Sequence, residues 1–265
     1  MQPPLFRINN TTPATGRANL DGQQNMMKEP SAGPSETGLE VTETSLKSEG
    51  LRIIQPRYGY RFSIDALLLA AFVRPRKRDR ILDLGAGCGV VALVIARRNP
   101  HTRITAVEIQ EDLAALAGKN VIINNLEDRL EILEGDLHSI TRTLPAGYFD
   151  WVTSNPPYRS PLSGRLCKDP QEALARHEIL TDLDRLLQSS RHALRPGGRI
   201  GLIYPAELTA KLISSMRSTR LEPKRLRMVH PGPQSPARLI LVEGCKDAGE
   251  ELRVDPPLFL KEKTE

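Results

Sequence analysis

Asn155-Pro156-Pro157-Tyr158 ends the apolar run from Phe149 to Ser154. A polar residue, two prolines and an aromatic ring at the carboxyl end of a strand can grip a planar amino group and stack its ring. The Asn155 side-chain carbonyl and the Pro156 backbone carbonyl are acceptors. Pro157 stiffens the turn that aims them, since its ring fixes φ and removes a competing N–H. Tyr158 offers a flat apolar face to a base or an amide. The same four residues also suit an ordinary turn with a packing tyrosine. A second motif upstream shifts the balance toward chemistry.

That motif is Asp83-Leu84-Gly85-Ala86-Gly87-Cys88-Gly89, which follows Arg80-Ile81-Leu82 and reads as strand, glycine loop and helix, the helix over about Val90 to Arg98. Such a loop lets the backbone approach a ligand closely and aims a helix N-terminus at it. A dinucleotide fingerprint would put its third glycine where Val90 stands, and no Lys-Ser/Thr pair of a phosphate loop follows. Gly-x-Gly-x-Gly preceded by an acid instead resembles motif I of the class I S-adenosylmethionine (SAM) methyltransferases. The resemblance implies that Asp83, Gly85, Gly87 and Gly89 underlie the methionine and ribose portions of a cofactor that has no phosphate.

The next strand, Arg103 to Glu108, ends in a carboxylate about 25 residues after Asp83, the distance expected for the second strand of a βαβ unit. A carboxylate there can accept both ribose hydroxyls. The strand Leu130 to Glu134 leads to Asp136, which in these methyltransferases hydrogen-bonds the adenine amino group. Each acid alone suits a solvated strand end or a helix cap. Three acid-bearing strand ends followed by Asn155 on a fourth fit a ligand site better, because ligands of open α/β sheets gather outside the carboxyl ends of the strands.

The elements that hold these residues alternate. Leu51 to Gln55 reads as a strand, Ser63 as the N-cap of a helix to Phe72, and Glu111 to Asn125 as a helix whose Leu113, Leu116, Ala117 and Val121 share a buried face. A helix over about Thr181 to Leu194 is closed by Arg195-Pro196-Gly197-Gly198. It is followed by a strand over Arg199 to Tyr204, a helix over about Ala206 to Ser218, and strands over Arg225 to His230 and Arg238 to Glu243. A doubly wound α/β sheet follows; the class I methyltransferase resemblance makes it Rossmann-like and seven-stranded, with the last strand antiparallel between its neighbours. Arg159 to Glu178, long for a loop, reads as functional or mobile.

Residues 1–44 are rich in Pro, Gly, Ser, Thr, Asn and Gln without periodicity and read as a disordered low-complexity tail, with residues 45–265 as the methyltransferase domain. Met26 or Met27 is an alternative beginning of the chain. The 265 residues suffice for one large α/β domain and not for two enzymatic ones. No apolar run approaches the roughly 20 residues that span a bilayer, and the first residues do not form a signal sequence, so a cytoplasmic protein with no membrane partner is expected. Cys88, Cys167 and Cys245 are too scattered for a zinc cluster or disulfide framework, and the five histidines show no metal-ligand spacing, so no metal is expected. A Cys167/His177 nucleophile pair has little to favour it over two structural residues.

The net charge of +5 suits a polyanionic partner. Arg217, Arg220, Lys224, Arg225 and Arg227 cluster late in the chain, as phosphate contacts or as charges guarding an edge strand. Arg57 and Arg61 precede the glycine loop, and Arg159, Arg165 and Lys168 follow the Asn-Pro-Pro-Tyr turn, where a bound nucleic acid must pass.

From about Leu51 to Leu260 the chain resembles the bacterial tRNA(Val) adenine-N6-methyltransferase family, which modifies the adenosine just 3′ of the anticodon, position 37. Beyond the two motifs, the resemblance rests on Gln55-Pro56-Arg57-Tyr58-Gly59-Tyr60-Arg61-Phe62-Ser63-Ile64-Asp65-Ala66, on His230-Pro231 through Ala237-Arg238, and on Asp255-Pro256-Pro257-Leu258. It implies tRNA as partner, no obligate protein partner, SAM as cofactor with S-adenosylhomocysteine as product, and Phe62 and Asp65 as contacts near the methionine end, with Asn155 also touching the cofactor. Direct in-line transfer to an exocyclic nitrogen fits, with Asn155 and Pro156 accepting the two amine N–H bonds, Pro157 stiffening the turn and Tyr158 stacking on the everted base. Methylation of a release-factor glutamine would use the same four residues, but with a helical docking domain that residues 1–44 cannot build. A guanine-N2 rRNA methyltransferase tends toward Phe where Tyr158 stands, and a DNA adenine methyltransferase needs a target-recognition region for which no segment is long enough. A silent SAM-binding or RNA-binding module needs neither Asn155 nor Tyr158.

Overall fold

The strand Arg80–Leu84 (β3) has no exposed apolar side chain, and its neighbours repeat the pattern: Ile81, Leu82, Leu84, Val107 and Val152 are fully buried. Runs of that kind belong to a sheet covered on both faces. Successive strand residues alternate between two cores. Ile81, Trp151, Ile203 and Leu241 join one with the helices Ile64–Phe72 (α1) and Val90–Arg98 (α2), whereas Leu82, Val152, Leu202 and Val242 join the other with Leu183, Leu187, Leu212 and Met216. This computed structural model describes residues 39–59, 61–136, 140–156 and 183–260.

The other elements are Val41–Leu46 (β1), Leu51–Pro56 (β2), Arg103–Glu108 (β4), Glu111–Ile123 (α3), Leu130–Glu134 (β5), Ile140–Thr143 (α4) and Phe149–Ser154 (β6). Helical residues 183–193 (α5) lead into Leu194–Pro205 (β7), followed by Thr209–Ser218 (α6), Leu221–His230 (β8), Leu239–Lys246 (β9), Arg253–Val254 (β10) and Leu258–Phe259 (β11). The main sheet runs β10-β8-β9-β7-β6-β3-β4-β5, and β11 also pairs with β8. The strands β5, β4, β3, β6 and β7 are mutually parallel, and β9 is antiparallel between β7 and β8. The doubly wound, Rossmann-like arrangement with its antiparallel strand is therefore present.

Among the described residues the sheet has nine strands rather than seven because the chain after Gly249 returns along β8 in two short pieces. Pro256 and Pro257 have no N–H to give, so pairing stops after Val254 and resumes at Leu258. The Arg227 side chain fills the gap, Nε donating to the Pro256 carbonyl at 2.9 Å.

Three boundaries differ from the sequence pattern. Composition gives Val41–Thr44 to the tail, whereas they pair with β2 as half of a separate two-stranded sheet. The Arg195 to Gly198 turn is a bulge inside β7, with Leu194 already opposite Phe149 and regular pairing resuming at Trp151 and Arg199. Strand β8 starts at Leu221 and crosses an irregularity between Pro223 and Arg225. Ser63 caps α1 as expected, its Oγ accepting from the Asp65 N–H at 3.3 Å.

Candidate active site

Strands β3, β4 and β6 finish side by side, and the glycine loop leaves from the middle one. The N–H groups of Gly85 and Ala86 both donate to the Val107 carbonyl, at 2.9 and 3.0 Å, folding the loop back over the end of β4. This course needs left-handed backbone at Gly85, Gly87 and Gly89, with φ of 71°, 57° and 82°. A Cβ at Gly85 would meet nothing within 4 Å, so the main chain there fronts open space, whereas one at Gly89 would lie in van der Waals contact with Ala117.

Glu108 closes the loop from the β4 side. Its Oε2 accepts the Gly87 N–H at 2.7 Å and its Oε1 the Gln110 N–H at 3.0 Å, while its backbone carbonyl accepts from Gly135 at 2.9 Å and so draws the end of β5 and Asp136 alongside. Each carboxylate oxygen retains acceptor capacity after these bonds. Asp136 is half-buried.

Asp83 is 1 % exposed and faces the core under α1 and α2. Its Oδ1 accepts from the Thr153 hydroxyl at 2.7 Å, and its buried Oδ2 has no hydrogen-bond partner among the described residues. Burial pushes this carboxyl up to about 7; the Thr153 hydroxyl and the Ala92 backbone amide pull the other way, and the charge of Glu108 adds to the rise. Ser154, on the opposite face, donates from Oγ to the Leu84 carbonyl at 2.7 Å. Asn155 and Pro156 follow directly and are half-buried. Pro157 and Tyr158 lie outside the described residues, as do Cys167, His177, Arg159, Arg165 and Lys168.

The segment before α1 is anchored by Gln55, which is 2 % exposed. Its Nε2 donates to Thr44 Oγ1 at 2.9 Å and its Oε1 accepts the Phe62 N–H at 3.3 Å. Phe62 packs part-buried against the α1–α2 core, and Asp65 sits half-buried in the first turn of α1. Arg61 stays on the hairpin, bonded to Thr42 Oγ1 and the Pro56 carbonyl, and Arg57 is exposed beside Glu40. Cys88 is fully buried, and burial first, then the Glu108 charge, pushes its thiol up to about 12, so it is no nucleophile at neutral pH.

The sequence pattern overlooks two asparagines. Asn120 of α3 and Asn124 at its C-cap are 0 % and 4 % exposed, and their amides bond the main chain of β2. Asn120 also donates to the Cys88 carbonyl inside the glycine loop, at 3.0 Å. The signal is present in the chain: both lie on the helix face marked by Leu113, Leu116 and Val121, where a polar residue needs a partner.

The late basic cluster is corrected. Because β8 runs parallel to β7, Arg217, Arg220 and Lys224 lie near its amino end, on the edge of the sheet opposite the glycine loop. Arg225 is 5 % exposed, its guanidinium bonded to Glu243 and to the Phe72 carbonyl and stacked on the Phe72 ring; it neither contacts solvent phosphate nor guards an edge, since β10 and β11 cover β8. Arg217 pairs with Glu222 and Glu250. Two clefts, of about 780 and 610 Å³, also open on that far edge, around Arg220 and Lys246 and around Arg80 and Arg103, away from the loop. Among the described residues no three His, Cys, Asp or Glu side chains are grouped to hold a metal ion, and no helix is long and apolar enough to cross a membrane.

The family described as Methyltransferase small domain matches residues 63–219. The chain is 34% identical over 221 residues to the tRNA1(Val) (adenine(37)-N6)-methyltransferase of Shewanella halifaxensis, covering 78% of this chain and 87% of that one. It is 33% identical over 179 residues to the protein of the same name from Parabacteroides distasonis, covering 68% of this chain and 74% of the relative. Among solved structures it is similar to a predicted O-methyltransferase of Agrobacterium tumefaciens, with a TM-score of 0.61 and 25% identity over 76% of this chain and 89% of the other.

Proposed function

Since the chain belongs to the methyltransferase small domain family and to the tRNA1(Val) (adenine(37)-N6)-methyltransferase family, we propose that it methylates the exocyclic N6 of an adenosine in tRNA, at anticodon-loop position 37 of tRNA(Val), using SAM. The observation that carries this reading is the hydrogen-bonded join of β3 to β6, which keeps Asn155-Pro156 beside the glycine loop.

SAM is cationic at its sulfonium and its ammonium, and two features of the edge suit it. The unpartnered Oδ2 of Asp83 is an arrangement that a neighbouring cation relieves. The open space in front of Gly85 lets a ligand lie against bare backbone. Glu108 has acceptor capacity left for two ribose hydroxyls, Asp136 takes the adenine amino group, and Phe62 and Asp65 close the methionine end.

When bound, the cofactor supplies a methyl group on a sulfonium whose departing thioether needs no acid. The work left to the protein is to make a poor nucleophile attack. The lone pair of an aromatic amine is delocalised into its ring. Asn155 and the Pro156 carbonyl accept its two N–H bonds and favour a tetrahedral nitrogen. Pro157 holds the turn, and Tyr158 stacks on the everted base. Neither a metal nor a cysteine nucleophile is needed for this transfer.

The reading is tested by incubating the protein with labelled SAM and unmodified bulk tRNA, then analysing nucleosides by mass spectrometry. N6-methyladenosine is the expected product. Label on rRNA or on a release factor, with none in tRNA, overturns the substrate while leaving the cofactor chemistry standing.

A further inference from the structure

The last two residues of β6, Thr153 and Ser154, are 0 % and 1 % exposed, and each spends its hydroxyl on the end of β3. Valine and alanine would fill the same space without a polar atom to satisfy. A buried hydroxyl that bonds a carboxylate has an electrostatic effect that packing alone does not require.

The carboxylate is unusual in its surroundings. On its own strand Asp83 is flanked by leucines; from α2 the Ala92 amide favours its ionisation; from β4 the charge of Glu108 opposes it; from β6 it accepts the Thr153 hydroxyl. Among the described residues only one of its two oxygens has a hydrogen-bond partner. A carboxyl so placed near neutrality changes its protonation when a cation comes close.

We propose that Thr153 is a positioning residue: its hydroxyl favours ionisation of Asp83 and orients the carboxyl with Oδ2 left unbonded for a cationic ligand, and thereby couples cofactor binding to the Asn155-Pro156 turn two residues away. The inference rests on the reading of the edge as a SAM site. It adds that SAM binding near pH 7 expels a proton from Asp83 to solvent, and that the ease of this release is set from β6. Deleting the hydroxyl makes Asp83 harder to ionise, so binding weakens at neutral pH and recovers in alkali.

The test is calorimetric titration of SAM into the full chain at several pH values, in two buffers of different ionisation enthalpy, which counts protons released. The wild type is expected to release about half a proton at pH 7. If the hydroxyl is worth one pKa unit, Thr153→Val binds about fivefold more weakly at pH 7 and equally well above about pH 9, with the half-release point about one pH unit higher, and Thr153→Ser restores the wild-type profile. A merely structural residue would weaken binding equally at every pH. Wild-type binding without proton release, or a Thr153→Val profile parallel to the wild type, overturns the inference. Should Thr153→Val not fold, the wild-type proton count and its disappearance in Asp83→Asn decide the matter. A wild type that does not bind SAM at all sinks the cofactor reading, and this inference with it.

Discussion

The side-chain amide of Asn120 pairs with the main chain of Ile54 at both its ends, Oδ1 accepting the N–H at 2.7 Å and Nδ2 donating to the carbonyl at 2.8 Å. Asn124 does the same for Arg52, at 2.9 and 2.7 Å. Four residues of helix rise roughly 6 Å and two of strand roughly 6.7 Å, so an i, i+4 pair of amides can serve an i, i+2 pair of peptide groups. The helix α3 thus acts as a further strand for β2, and Asn120 extends the link to the glycine loop through Cys88.

Asn120→Leu would keep the branched shape without its polar atoms and strand three main-chain groups, two of Ile54 and one of Cys88. The expected cost is about 2–4 kcal/mol, read as a lower urea midpoint, together with weaker SAM binding because the loop loses a support. An unchanged midpoint would mean that water replaces the amide.

Arg225 and Glu243 form a buried pair, with side chains 7% and 8% exposed and an Nη2–Oε2 distance of 2.8 Å. Burial lowers the guanidinium's pKa, and Glu243, which is also bonded to Arg199, opposes that shift. Truncating one partner leaves the other charge uncompensated, so Arg225→Ala is expected to destabilise by about 3–5 kcal/mol. The loss should show in thermal unfolding, whereas exchange of Arg220 or Lys224 for Ala should leave stability and catalysis nearly unchanged. Loss of tRNA affinity in Arg225→Ala at full stability would return it to the phosphate-contact role.

The legible part of this protein is what local chemistry dictates. Asp83 to Gly89 needs positive φ at three glycines, and only a loop provides it; Ser63 sits where a helix must be capped; the apolar runs of β3 and β6 have the composition of strands covered on both sides. Hidden from such reading are groups whose partners lie far along the chain. Arg225 looks like surface charge until Phe72, 153 residues away, supplies a carbonyl and a ring. Thr153 looks like ordinary strand filler until Asp83 is found across the ladder. Val41–Thr44 read as tail because strand pairing with Leu51–Pro56, not composition, makes them a strand.

Asp83 also governs how stability depends on pH. Its carboxyl rises from an ordinary 3.8 to about 7 in the fold, so between those values the folded chain holds a proton that the unfolded chain has lost. The contribution is fully present below about pH 4 and is lost as pH rises through about 7, a swing on the order of 4 kcal/mol at most. The ligand-free protein is therefore expected to lose stability between pH 5 and 8 in urea titrations, and Asp83→Asn to flatten that decline while binding SAM poorly. A wild-type midpoint that rises over the same range would show that Asp83 is ionised throughout.

Asn155 separates chemistry from binding. It stands just beyond Ser154, whose bond to Leu84 keeps the end of β6 in place whatever side chain follows, so Asn155→Ala should fold and should bind SAM within about twofold of the wild type. What it loses is the acceptor that reshapes the target amine. Removing one such preorganised group costs on the order of 10²–10³ in turnover, and because the group acts only as the nitrogen pyramidalises, the loss should fall on kcat with KM for tRNA little changed. Asn155→Asp keeps an acceptor oxygen and should retain more activity than the alanine variant. Single-turnover methylation of tRNA beside equilibrium SAM binding distinguishes the cases. Loss of both functions together would instead make Asn155 chiefly a cofactor contact, and would move the selection of the amine to Pro156 and the residues that follow it.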